Sequence, residues 1–137
     1  MRSVLSPEHA LIYVMVVVSA SDANMSDREL HVIGEMVKTL QAFRSFDANN
    51  LLGVARDCAA LLREPEGFDA VLSLVREALT PRQRETAYAL ALEVALADTT
   101  VASEEIRAVE RIRHALEIDR LVAAAIERGA TARNRFS

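Results

Sequence analysis

Asp22-Ala-Asn-Met-Ser-Asp-Arg-Glu29-Leu30 stands between an apolar run and an amphipathic one, and it returns 76 residues later as Asp98-Thr-Thr-Val-Ala-Ser-Glu-Glu105-Ile106 in the same setting. A similarity at fixed offset marks a duplicated structural unit, so two copies of one helical motif are expected. Ser6-Pro7 opens the segment before the first copy and Thr80-Pro81 the segment before the second. Ser or Thr at the N-cap accepts from a free backbone N–H, and Pro at the first helical position gives up a donor that has no partner there. Helices are therefore expected over 7–21 and 81–97. Behind the motifs, Leu30, Ile33, Met36 and Leu40 match Ile106, Val109, Ile112 and Leu116 at the same offset. Their helical spacing predicts amphipathic helices running from a Ser26/Glu29 capping box to about residue 44, and from Ser103 to about residue 117.

Asp47 can cap a further helix over 48–63, whose apolar stripe includes Leu51, Leu52, Val54, Ala55 and Cys58. Glu64-Pro65-Glu66-Gly67 breaks it, and Phe68, Val71, Leu72, Val75 and Leu79 make a connecting helix. A last helix, capped by Asp119, is expected to stop at Gly129. No alternating β-branched run and no Asn-Gly or Asp-Gly hairpin signal is present. The expected fold is all-α with about seven helices, two three-helix units being related by a pseudo-two-fold. One domain is divided into a first repeat at about 6–63, a connector at about 66–79, a second repeat at about 80–129 and a flexible basic tail over 130–137.

Composition narrows the function classes. The chain of 137 residues is long enough for one core, and its single cysteine, Cys58, has no partner for an internal disulfide. Lying on the apolar stripe, Cys58 reads as a small core residue. A net charge of −4 and scattered arginines leave no basic field for phosphate backbones, so no nucleic-acid partner is expected. Residues 10–20 carry no charge, but a helical span of a bilayer needs about 20 residues. That segment reads as a buried helix, and stable membrane insertion is not expected. Pro7, Glu8 and His9 interrupt what a secretory signal would need, so the expected compartment is the cytoplasm. Hydrophobic residues make up 51%, enough to serve either a core or a subunit interface, which leaves the oligomeric state open.

The acidic positions of the two motifs differ in what they require. Glu29 and Glu105 fall in first helical turns, where free N–H groups and the positive dipole end suffice to explain a carboxylate. Asp22 and Asp98 follow helix C-termini, where an anion loses on the order of 0.3–1 kcal/mol unless compensated. The next helix's N-terminus is one compensation and a bound cation another. If a pseudo-two-fold joins the loops, Asp22, Asp27, Glu29, Asp98, Glu104 and Glu105 against Arg28 concentrate about five negative charges. Oxygen donors of this kind suit calcium or magnesium, and no thiolate or paired-imidazole set for zinc is visible. His9, His31 and His114 stand apart from any metal-ligand spacing. No nucleophile motif or phosphate loop is present, and no enzymatic activity or catalytic residue is expected.

Ala20-Ser-Asp22-Ala-Asn-Met25-Ser26-Asp-Arg-Glu29 and Leu96-Ala-Asp98-Thr-Thr-Val101-Ala-Ser-Glu-Glu105 resemble the signature of the tellurite-resistance TerB family, roughly Ala-Asp-Gly-x-Ile-Ser-x-x-Glu. The resemblance extends over about 7–129. It implies a compact duplicated helical domain of bacterial stress-response systems that holds a divalent metal through its acidic residues. The implied ligands are Asp22, Glu29, Asp98 and Glu105, with Ala23 and Thr99 standing where the family pattern has Gly. The resulting expectation is a non-enzymatic module binding a divalent cation, calcium or magnesium, in tellurite or metal stress. The alternative is a scaffold that recruits protein partners with no metal role.

Overall fold

The computed structural model describes residues 5–20, 27–97 and 103–134, with the backbone alone for 27–29 and 103–105. Seven α-helices and no strand occur among the described residues: α1 Pro7–Ser19, α2 Asp27–Thr39, α3 Leu51–Leu62, α4 Gly67–Ala78, α5 Pro81–Ala95, α6 Ser103–Ala115 and α7 Arg120–Arg133. Two 3₁₀ turns, Gln41–Phe43 and Ala48–Asn50, join α2 to α3. The all-α expectation holds.

The central element is α1. Its start follows the local chemistry, with Ser6 Oγ accepting from the His9 N–H at 3.2 Å and Pro7 behind it. Every residue from Ala10 to Ser19 is buried, and a helix that is apolar on all sides must be covered on all sides. The elements α2, α3, α4, α5 and α6 all pack on it. Its closest partner is α5, which opens with a reciprocal capping box. Thr80 Oγ1 accepts from the Gln83 N–H at 3.2 Å, and Gln83 Oε1 accepts from the Thr80 N–H at 2.9 Å. The uncharged run is thus a core helix, and among the described residues no helix is long and apolar enough to cross a membrane.

Two expected boundaries are corrected. α2 ends at Thr39 rather than near residue 44. Leu40 turns extended, and the following 3₁₀ turn carries Phe43 into the core, where it packs edge-on against Phe46 at 6.4 Å between ring centroids. Continuing the helix would leave that aromatic surface uncovered. A similar turn precedes α3: Asp47 Oδ1 accepts from the Asn49 N–H at 2.9 Å, so the expected cap acts on 48–50 and α3 follows from Leu51.

The second correction is at the other end of the chain. Gly129 does not stop α7, which continues to Arg133, so the expected flexible tail over 130–137 is helical as far as Arg133. Ala130 is fully buried, and Arg133 reaches back to form an ion pair with Glu93 on α5. Asn134 Nδ2 donates to the other Glu93 oxygen at 3.2 Å. Gly129 is within a helix whose end is fastened elsewhere, and none of the described glycines adopts a positive φ.

The connector α4 is tied to its neighbours at both ends. At the α3–α4 corner Glu66 is left-handed, with φ 58°, and Gly67 follows where the chain passes so close to α3 that no Cβ fits. Arg111 of α6 lies 3.8 Å over the Phe68 ring and donates to Asp69 at 2.7 Å. Arg76 pairs with Glu117, which ends α6 in a left-handed conformation (φ 55°). There the Ile118 N–H returns to the Arg113 carbonyl at 3.1 Å and the Glu117 N–H to that of His114 at 3.1 Å, the paired bonds of a Schellman cap.

Candidate functional site: the acidic motifs and a cleft beside α7

Each acidic motif joins two helices that pack together. The first runs from the end of α1 to the start of α2, the second from the end of α5 to the start of α6. Both α2 and α6 pack on both α1 and α5, so the four helices flanking the motifs form one group around the α1–α5 pair. Glu29 lies in the first turn of α2 and Glu105 in the first turn of α6, as expected. Asp22 and Asp98 lie outside the described residues, as do Ser26 and the capping box expected there. Among the described residues no cluster of three or more His, Cys, Asp and Glu side chains could hold a metal ion. Ser19, the last residue of α1, is wholly buried, and its hydroxyl has no hydrogen-bond partner among those residues.

The other polar groups noted in the sequence have structural roles. Cys58 is fully buried and its thiol donates to the Tyr13 carbonyl at 3.7 Å. Burial pushes the thiol pKa up to about 12, so it stays protonated and is no nucleophile near neutrality. Tyr13 is also raised, by burial first and then by Cys58 and Asp57. His31 and His114 are exposed, while half-buried His9 packs edge-on against Phe46 at 5.7 Å between ring centroids.

The residue pattern did not announce a cleft of about 500 Å³ between α5, α6 and α7. Leu92, Ala95, Leu96, Ile106, Val109, Ala123 and Ala124 provide its apolar surface. Glu110, Arg113, Arg120 and Glu127 stand around it. At its base Tyr88, 1% exposed, donates its phenol proton to Glu127 Oε2 at 2.5 Å. Burial, this hydrogen bond and the Glu127 charge raise the Tyr88 pKa, against a smaller opposing effect of Arg113. The phenol is therefore a neutral donor. The signal that could have found the cleft is the pair of small residues Ala123 and Ala124 beside it.

The family model described as "Tellurite resistance protein TerB" matches residues 8–128. The chain belongs to the TerB family. That match takes in both acidic motifs and runs from the first turn of α1 well into α7, so the TerB domain occupies most of the chain. TerB membership and the all-helical architecture agree, and together they make this a tellurite-resistance-related domain. No curated protein and no solved structure gives a significant match.

Proposed function

We propose that this TerB domain is a non-enzymatic module that binds a divalent cation, calcium or magnesium, through Asp22, Glu29, Asp98 and Glu105, and acts in a cytoplasmic response to tellurite or metal stress. The observation that carries the proposal is the doubled motif in a chain of TerB membership, with both copies joining helices of one packed group. The donor chemistry fits: four carboxylates are hard oxygen ligands, and calcium and magnesium take oxygen. A bound cation would also relieve the unfavourable placement of Asp22 and Asp98 after helix C-termini. The ion supplies positive charge between the motifs, and the chain's own part is to present carboxylates from two helix-loop-helix units on a common core.

A second reading, a scaffold for protein partners with no metal role, is favoured by apolar side chains left in solvent. Leu52 is 57% exposed, Ile106 50% and Leu121 82%. Isothermal titration of calcium and magnesium into chelator-stripped protein, beside the Asp22→Ala, Asp98→Ala double variant, separates the two. Saturable binding lost in the variant supports the metal module. No heat with either protein refutes it and leaves the scaffold.

A further inference from the structure

The cleft between α5, α6 and α7 has a smaller counterpart elsewhere in the fold. Val16, Leu30 and Ile33 line a pocket of about 230 Å³ beside α3, and Leu92, Ile106 and Val109, each 76 residues later, line the 500 Å³ cleft beside α7. The walls facing them differ. Leu51, Leu52 and Ala55 of α3 stand in the smaller pocket, and 72 residues later Ala123, Ala124 and Glu127 of α7 stand in the larger. Leu51 and Leu52 at the rim of the first pocket stand where Ala123 and Ala124 leave the second more open. Among the described residues the first has no charged lining side chain, while the second has four and the buried Tyr88 hydroxyl. A concave apolar space of about 300–1,000 Å³ with a few convergent polar groups is what small-molecule sites have in common.

The charges decide the ligand class. Arg113 and Arg120 make no ion pair among the described residues, and the Arg113 guanidinium lies 3.3 Å from the His114 ring. Arg113 is half-buried, whereas Arg120, Glu110 and Glu127 are exposed. Water screens exposed charges most, so the field a ligand meets inside the cleft is dominated by Arg113. The Glu127 carboxylate is engaged by Tyr88, and its charge together with that of Glu110 selects against a dianion. We infer that this cleft binds a small amphipathic monoanion, its apolar body against Leu92, Val109, Ala123 and Ala124 and its charged head at Arg113 with Arg120 beside it. The inference is independent of the metal reading, because none of these residues belongs to the acidic motifs.

Decanoate, kept below its micelle concentration and titrated in the presence of chelator, is the probe, with decanol and decyltrimethylammonium as neutral and cationic controls. Amide and methyl NMR shifts report the site. Decanoate is expected to bind one to one, shifting signals of Val109, Ala123 and Ala124, and to bind more tightly than either control. Ala124→Leu restores the leucine found on α3 at an exposed helical position and is expected to abolish binding, while Ala124→Ser keeps the space and retains it. Arg113→Gln is expected to weaken decanoate about tenfold or more, the loss of one charge-assisted hydrogen bond, while leaving decanol unchanged. The inference is overturned by absence of saturable decanoate binding, by equal binding to folded Ala124→Leu, or by a preference for the cation.

Discussion

Replacing Gly67 by alanine adds one methyl group at the most crowded of the described glycines. A Cβ there would lie 2.3 Å from the Leu61 carbonyl oxygen, and 2.8 Å from both the carbonyl carbon and oxygen of Leu62. All three are backbone atoms of the last turn of α3, so no side-chain rotation can relieve the contact. Overpacking typically costs 1–3 kcal/mol, and with only backbone able to yield, about 3 kcal/mol is expected. Gly34 and Gly53 calibrate the measurement, since a Cβ at either meets nothing within 4 Å. Gly34 lies mid-helix in α2, where alanine is better than glycine by about 0.8–1 kcal/mol; Gly53, in the first turn of α3, should gain about half as much. At about 4 °C per kcal/mol for a domain of this size, Gly67→Ala should melt about 12 °C below the parent and Gly34→Ala about 4 °C above it. Urea unfolding followed by circular dichroism should move the midpoints in the same order at constant slope. A Gly67→Ala protein within about 0.5 kcal/mol of the parent would mean that the α3–α4 corner is not packed as described.

Two further outcomes are expected. Cys58 holds its proton in the folded state to about pH 12, whereas in the unfolded chain it ionises from 9.0, so its contribution is intact below pH 9 and lost as pH rises towards 12. Stability should fall in that window by about 1.4 kcal/mol per pH unit from this group alone, Cys58→Ala should flatten the profile, and a thiol reagent at pH 8 should modify unfolded but not native protein. Arg133→Ala should cost only about 0.5–1 kcal/mol because the Arg133 side chain is itself largely exposed, yet amide exchange at 130–134 should accelerate as the end of α7 frays.

What could be foreseen from the residues follows from how local each cause is. The starts of α1 and α5 were legible because Ser6-Pro7 and Thr80-Pro81 make their caps within one turn, and the burial of Cys58 followed from its place on an apolar stripe. The end of α2 was not legible, because the spacing of apolar residues continues through Leu40 while the break serves the burial of Phe43, which depends on the assembled core. Gly129 misled for a related reason: glycine often ends helices, but here Glu93, some forty residues earlier, holds the end in place. The cleft beside α7 depends on side chains that are small, and absence of bulk carries no periodic signal until the opposing wall is known. The acidic residues are the reverse case. Sequence singled out all four, and structure places Glu29 and Glu105 at the two helix starts, while Asp22 and Asp98 lie outside the described residues.

The enclosure of α1 also governs how the molecule comes into being. A ribosome delivers Pro7–Ser19 well before the helix that covers it most extensively, Pro81–Ala95, which begins 62 residues after Ser19. At about 5–20 residues per second, the apolar face that α5 will cover waits roughly 3–12 s. Over that interval it is a ready target for chaperones or for a neighbouring nascent chain. A cut between α4 and α5 would make the exposure permanent, stripping α1 of one flank and α5 of its main support. The two halves thus share one core, and neither keeps its full cover when it is separated from the other.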